Sequence, residues 1–247
     1  MHSAPNTDGV WSDAFTVESP RMIVPLRGAF NLVQGNCRAH CAALSALMLD
    51  ASAPYRMRRF AGPHVISVVF VPNESNVATS IQRFSFRQGL RLRALLGCHQ
   101  IGSADSHRSN QLAFEELFAS LNIDEKIASV EPNRRSTSRT SRAVFVAQEF
   151  LAENATRKLT LSEIALAAHV SPFHLARAFR ASVGATMYQT QLQLRILEAI
   201  NCIEDGAENL SSLAHQLGFS SHAHFTKIFR QFAGVAPSKY LRHCARL

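Results

Sequence analysis

The C-terminal part of this 247-residue chain contains one pattern twice, and a chain that repeats itself must fold as a repeated unit. The first copy opens Leu161-Ser162-Glu163-Ile164-Ala165-Leu166-Ala167-Ala168-His169-Val170-Ser171-Pro172. The second opens Leu210-Ser211-Ser212-Leu213-Ala214-His215-Gln216-Leu217-Gly218-Phe219-Ser220-Ser221. Ile164 matches Leu213, Ala165 matches Ala214 and Ala168 matches Leu217, all at one offset. Beyond the turn the offset grows by one residue. Leu175 then matches Phe225, Phe179 matches Phe229, Arg180 matches Arg230 and Gly184 matches Gly234. A slip of one residue is tolerated in a turn and not inside a helix.

Each copy predicts a helix, a tight turn and a second helix, over about 161–183 and 210–233. Thr160 and Glu163 have capping-box spacing. Ser171 is placed to cap the next helix, with Pro172 at its first position, where a missing N–H does no harm. In the second copy Gly218 supplies the turn and Ser220 or Ser221 the cap. Gly184 and Gly234 are the expected helix ends. Helical spacing puts Leu175, Phe179 and Ser182/Val183 on one core face, and Phe225, Ile228, Phe229 and Phe232 on the other.

The opposite faces carry the chemistry. Phe173, Ala176, Arg177 and Arg180 fall together away from the first core face. Ala223, Thr226, Lys227 and Arg230 do so in the second copy, with His222 beside them. Small residues allow a backbone to approach closely, and long donors reach base edges in a major groove. A single such face is an ordinary solvated helix surface; two in register point to DNA. Phe173, Ala176, Arg177, His222, Ala223, Thr226 and Lys227 are the expected base readers. Ser171, Arg180, Ser221 and Arg230 are the expected phosphate contacts. Between the copies, Leu192, Ile196, Ala199 and Ile203 form a stripe on a helix from Thr186 to about Glu204. Such a helix is roughly 28 Å long at 1.5 Å per residue, close to the ~34 Å between major-groove turns on one DNA face.

Charge agrees with a polyanionic partner without locating it. Lys+Arg number 26 against 18 Asp+Glu, a net charge of +8. Residues 1–140 carry 15 cations and 11 anions, and residues 141–247 carry 11 and 7, so each part nets +4. Position must therefore carry the assignment. Glu131 to Arg142 holds no hydrophobic residue and reads as a linker. Ahead of it, residues 16–75 read as strands and turns. Met22-Ile23-Val24 runs into Pro25, Gly28 precedes Ala29-Phe30, and Ser45 to Leu49 is a short apolar run. His64 to Val71 is rich in β-branched residues. Residues 88–98 and 109–122 read as helices.

Other classes of protein fit poorly. A spanning helix needs about 20 apolar residues, and the apolar runs here are short. Residues 1–15 do not resemble a signal peptide. Five scattered cysteines, Cys37, Cys41, Cys98, Cys202 and Cys244, favour a reducing cytoplasm over a disulfide framework. The only local ligand cluster is Cys37-Arg38-Ala39-His40-Cys41. On a strand, Cys37 and Cys41 share a face about 13 Å apart while His40 points the other way. No metal or cofactor is expected there. Phosphate loops, Gly-x-Ser-x-Gly and His-Glu-x-x-His are absent from the sequence, so no enzyme activity is expected.

Residues 143–244 resemble the DNA-binding domain of the AraC/XylS family of bacterial transcription regulators. The resemblance rests on Ser171-Pro172-Phe173-His174-Leu175-Ala176-Arg177-Ala178-Phe179-Arg180 with Gly184, then Arg195-x-x-x-Ala199-x-x-x-Ile203. It continues through Gly218-Phe219-Ser220-Ser221, Phe225-Thr226-Lys227-Ile228-Phe229-Arg230 and Gly234 to Tyr240. His169 departs from the family's usual glycine. Ala176 and Ala223 are short where longer readers are common, which shifts weight to Arg177 and Lys227. The resemblance implies an α+β chain in three parts: a sensing or dimerisation domain over 1–130, the linker 131–142 and a DNA-binding domain over 143–247. Residues 16–75 are similar to the family's cupin-like sheets, with Pro25-x-x-Gly28-x-Phe30 as the match. Implied partners are double-stranded promoter DNA, RNA polymerase, a small-molecule effector of unknown identity and a second copy in a homodimer. Regulation of transcription, as an activator or a repressor, and no membrane association are also implied. Cys37-x-x-x-Cys41 is similar to the first cysteine pair of the DNA alkyl-repair modules fused to some members, but the second close pair is missing. The competing readings are a helical protein-interaction module and a metal- or redox-responsive regulator using Cys37 and Cys41.

Overall fold

A computed structural model describes residues 10–35, 37–42, 45–51, 53–59, 66–70, 80–83 and 139–244. The chain divides into two compact units, residues 1–134 and 135–247. The described residues of the first unit form strands and those of the second form helices, an α+β arrangement. The helices expected over 88–98 and 109–122, and Cys98, lie outside the described residues.

Among the described residues, seven strands make two antiparallel sheets. β1 (Arg21–Arg27), β4 (Ser45–Leu49), β6 (Ile66–Phe70) and β7 (Ser80–Arg83) form one, in the order β6-β1-β4-β7. β2 (Ala29–Gln34), β3 (Cys37–Ala42) and β5 (Tyr55–Arg59) form the other, in the order β3-β2-β5. Alternation along the strands sends Ile23, Leu47 and Leu49 of the first sheet and Phe30, Leu32, Ala39, Cys41 and Met57 of the second into one shared core. The segment ahead of β1 guards an edge: Phe15 and Tyr55 exchange backbone hydrogen bonds, each 2.8 Å.

Pro25 sits inside β1 rather than ending it. There, among the described residues, β1 pairs only with β6, since its pairing with β4 stops at Ile23, and the register shifts between Pro25 and Arg27. A residue without an N–H is accommodated where one side of the strand is unpaired and a bulge intervenes. The sheet also runs past the expected limit of residue 75, because β7 pairs with β4 as far as Arg83. A four-residue strand with a single apolar residue gives no apolar run by which to find it.

β3 places two members of the cysteine cluster, Cys41 and His40. Cys41 is fully buried in the shared core. His40, one residue earlier, faces the other side of the sheet, where its Nδ1 lies 2.8 Å from Oδ1 of its cross-strand partner Asn31. Cys41 and His40 therefore cannot hold one ion. Among the described residues no group of three or more His, Cys, Asp or Glu side chains is arranged to bind a metal.

The second unit contains α1 (Arg139–Glu153), α2 (Leu161–Ala167), α3 (Pro172–Val183), α4 (Met187–Glu204), α5 (Leu210–Gln216), α6 (His222–Ala233) and α7 (Pro237–Cys244). Helix α1 begins four residues inside the stretch expected to be linker. Ala143, Val144, Ala147 and Leu151 recur at helical spacing and pack on Ile164, Leu175 and Phe179, and this burial carries the helix back through Arg139. No described helix is long and apolar enough to cross a membrane.

Candidate nucleic-acid interface

The two repeated segments form the helix pairs α2–α3 and α5–α6. Thr160 starts α2 with a complete capping box. Its hydroxyl accepts from the Glu163 N–H at 3.2 Å, and Glu163 Oε2 accepts from the Thr160 N–H at 2.8 Å. The Thr160 backbone and hydroxyl, and then Arg157, hold the Glu163 carboxyl down at about 2. Asn209 starts α5, accepting from the N–H groups of Ser211 and Ser212.

The two turns use one geometry. His169 N–H donates to Leu166 and Val170 N–H to Ala165; Gly218 N–H donates to His215 and Phe219 N–H to Ala214. Both are helix-ending turns with a left-handed residue, at φ 54° for His169 and 75° for Gly218. His169 is the only described residue other than glycine with positive φ. The residue added in the second copy is Ser220, which spends its hydroxyl on His224 Nδ1 at 3.0 Å. The cap of α6 is consequently Ser221, accepting from His224 N–H at 3.0 Å, as Ser171 does from His174 N–H at 3.4 Å. The far ends match equally well. Gly184 and Gly234 both have φ 79° and donate to Arg180 and Arg230.

These caps fix where each second helix starts, and the core fixes its rotation. Leu175 and Phe179 anchor α3, and Phe225 and Phe229 anchor α6, all fully buried. Phe225 stacks edge-on between Phe219 and Phe229, with ring centroids 5.2 and 5.6 Å away. The opposite side is thereby held outward. Phe173 is 79% exposed, an unusual state for a phenylalanine. Arg177, Arg180, His222, Ala223, Lys227 and Arg230 are exposed as well. Among the described residues, no side chain of Arg177, Arg180, Lys227 or Arg230 takes part in a hydrogen bond or ion pair. Two cations per helix are thus presented without competing acids.

Two positions differ from expectation. Ala176 does not stand clear of the core but packs half-buried against it, because it flanks the Leu175–Phe179 stripe at helical angle. Thr226 is half-buried too, and its hydroxyl lies 3.4 Å from His222 Nε2, one turn back. The first turn of α1 supplies contacts the sequence did not announce. Arg139 Nη2 donates to the His169 carbonyl at 3.1 Å, and Thr140 Oγ1 lies 3.2 Å from His174 Nε2 on α3.

Helix α4 separates the pairs. Thr186 and Gln189 form its capping box, and its 18 residues span about 27 Å. Leu192, Ile196, Ala199 and Ile203 are buried as a stripe. Arg195 is buried among them, only 6% exposed, and that burial pushes its guanidinium below its ordinary value. At the far end of α4, Tyr240 Oη on α7 donates to Glu204 Oε1 at 2.8 Å.

A family model described as a helix-turn-helix domain matches residues 164–243, which run from within α2 through α3, α4, α5 and α6 into α7. The chain is 25% identical over 144 residues to the HTH-type transcriptional regulator YisR of Bacillus subtilis, covering 58% of this chain and 47% of YisR. It is 30% identical over 82 residues to PqrA of Proteus vulgaris, named as a transcription factor, covering 33% of this chain and 67% of PqrA. A solved AraC-type transcriptional regulator from Chromobacterium violaceum is similar at 22% identity, over 43% of this chain and 96% of that one, with a TM-score of 0.41. The chain spans between a third and a half of the length of the first curated relatives it matches.

Proposed function

This chain belongs to the AraC/XylS family of transcription regulators, and from that premise we propose that it binds promoter DNA sequence-specifically through α3 and α6. One observation carries the reading: two helices with matching caps, ends and core faces both turn unpaired cations outward at equivalent positions. Each is the second helix of a helix-turn-helix unit. In this reading Phe173, Arg177, His222, Ala223, Thr226 and Lys227 meet base edges, with Ala176 as a small spacer that lets the backbone approach. Arg180 and Arg230, one turn further on, meet phosphates. Ser171 and Ser221 mark exposed helix N-termini, whose first-turn N–H groups and dipole favour a phosphate. Helix α4 spaces the two units for successive major-groove turns.

The two-sheet unit, within residues 1–130, is assigned the sensing or dimerising role, with a cupin-like sheet, a small-molecule effector and RNA polymerase as the partners that family membership implies. The test is selection of duplexes from a random pool by the full chain, followed by titration of the winning and a scrambled duplex at several salt concentrations. Specific binding whose affinity falls steeply with salt is expected. Equal affinity for both duplexes overturns the proposal.

A further inference from the structure

Arg195 occupies a place in the fold that its role as a core residue of α4 does not explain. Its Nε donates to the Ala155 carbonyl at 2.7 Å, and Nη2 to the Arg157 carbonyl at 3.0 Å with Thr156 at 3.5 Å. Its Nη1 donates to the Gly218 carbonyl at 2.7 Å. These acceptors come from two separate places. Residues 155–157 lead from α1 into the first helix pair; Gly218 is the turn of the second. The guanidinium also lies 5.8 Å from the centre of the Phe219 ring.

No carboxylate is among its hydrogen-bond partners. The charge instead rests where the chain leaves α1 and α5, and carbonyls at helix C-termini carry partial negative charge. A planar fork can serve divergent acceptors at once, which the single point charge of lysine cannot. The two places also touch directly, since a Cβ on Gly218 would run into the Thr156 carbonyl oxygen. One helical turn earlier, Gln191 donates to Ala155 at 3.2 Å and to Arg157 at 2.6 Å, and to nothing in the second pair. Gln191 therefore secures the first side of the joint alone, whereas Arg195 spans it.

We propose that Arg195 is a positioning residue that locks the α5–α6 pair against the α2–α3 pair, and so sets the spacing between the two DNA segments the chain can read at once. The proposal rests on the DNA-binding reading above. It assigns specificity for operator spacing to a side chain that touches no DNA.

The test uses the full chain with Arg195→Lys, and Gln191→Leu as control. Each protein is titrated with its selected duplex, with duplexes whose two contacted segments are one base pair closer or further apart, and with duplexes keeping only one segment. Arg195→Lys should leave single-segment affinity within about twofold, weaken the selected duplex about tenfold, and flatten the dependence on spacing. Gln191→Leu should keep the wild-type spacing optimum. Equal losses on single- and two-segment duplexes, or a dependence on spacing as steep as wild type, overturn the proposal. Spin labels on ketone-bearing residues introduced at Ala181 and Gln231, equivalent exposed sites on α3 and α6, read the joint without DNA. Arg195→Lys should broaden their distance distribution, and a distribution that coincides with wild type overturns the proposal. If Arg195→Lys does not fold, Phe219→Leu, which removes the ring face beside the guanidinium together with its edge contact to Phe225, should shift both readouts in the same direction by less, and no shift overturns it. A wild-type chain without any preferred duplex defeats the DNA-binding reading instead, and the label distances still decide whether the joint is locked.

Discussion

Gly218→Ala and Gly234→Ala are the same chemical change at nearly the same backbone angle, so their difference isolates what surrounds them. Gly234 has φ 79° and open space where a Cβ would go. Its substitution should cost about 1 kcal/mol, the left-handed strain of roughly 1–2 kcal/mol less the entropy removed from the unfolded chain. Gly218 has φ 75°, and its Cβ would meet the Thr156 carbonyl, with Arg195 Nη2 3.1 Å and Cζ 3.2 Å away. Neither neighbour can yield freely. Thr156 is backbone, and moving the guanidinium breaks hydrogen bonds to main-chain carbonyls that contribute roughly 1.5–3 kcal/mol each when charge-assisted. Gly218→Ala should therefore destabilise the helical unit by about 4 kcal/mol, some 3 kcal/mol more than Gly234→Ala. Urea unfolding followed by far-ultraviolet circular dichroism reads this unit, because helix dominates that signal and all the described helices lie in it. Equal destabilisation by the two substitutions would refute the close approach of Gly218 to Thr156, and with it the joint built around Arg195.

Arg177→Ala should cost about 1–3 kcal/mol on the selected duplex and relax preference at one or two base pairs, while Arg180→Ala should weaken matched and scrambled duplexes alike and lower the salt slope by about one; isotherms at several salt concentrations separate them. Glu163→Gln keeps a capping box, as Gln189 does on α4, but removes a carboxyl held at about 2 against the ordinary 4.5. A lowered folded value means stability that is present above 4.5 and lost as pH falls through 2, so acid unfolding of the variant should be flatter across that window. His169→Gly relieves a left-handed non-glycine residue at φ 54° and should raise stability by up to about 1 kcal/mol, read as a higher urea midpoint.

The helical unit was readable because its determinants are local. Capping boxes, Pro172 after Ser171, and glycines at helix ends each depend on residues within a few positions, and the repeat supplied the same evidence twice. What the sequence left open, Ser220 or Ser221 as cap, depends on one hydrogen bond, the one that draws Ser220 to His224. Ala176 was misplaced by treating a helix as having two faces. It lies between them, and only the packed neighbours decide how much of it is covered. The two-sheet unit was readable only as strands. Which strands pair is set by contacts distant in sequence, and the order β6-β1-β4-β7 follows from no local pattern.

Arg195 marks the limit most sharply. Its spacing from Leu192, Ile196 and Ala199 places it in the buried stripe, and an arginine there invites a search for an acid. Glu198, three residues on, has the spacing for an ion pair, yet its Oε2 accepts from Asn201 Nδ2 at 3.0 Å. The partners of Arg195 are main-chain carbonyls, and every residue except those whose carbonyl is already engaged can offer one, so side-chain identity carries no trace of them. The readable signal is indirect: Gln191 and Arg195, donors with long stems, recur at one helical turn inside an apolar stripe. Donors in that position must find acceptors without leaving the core, and chain ends emerging from neighbouring helices are where unpaired carbonyls accumulate. A buried donor ladder on a connecting helix therefore points to the place where two repeats meet.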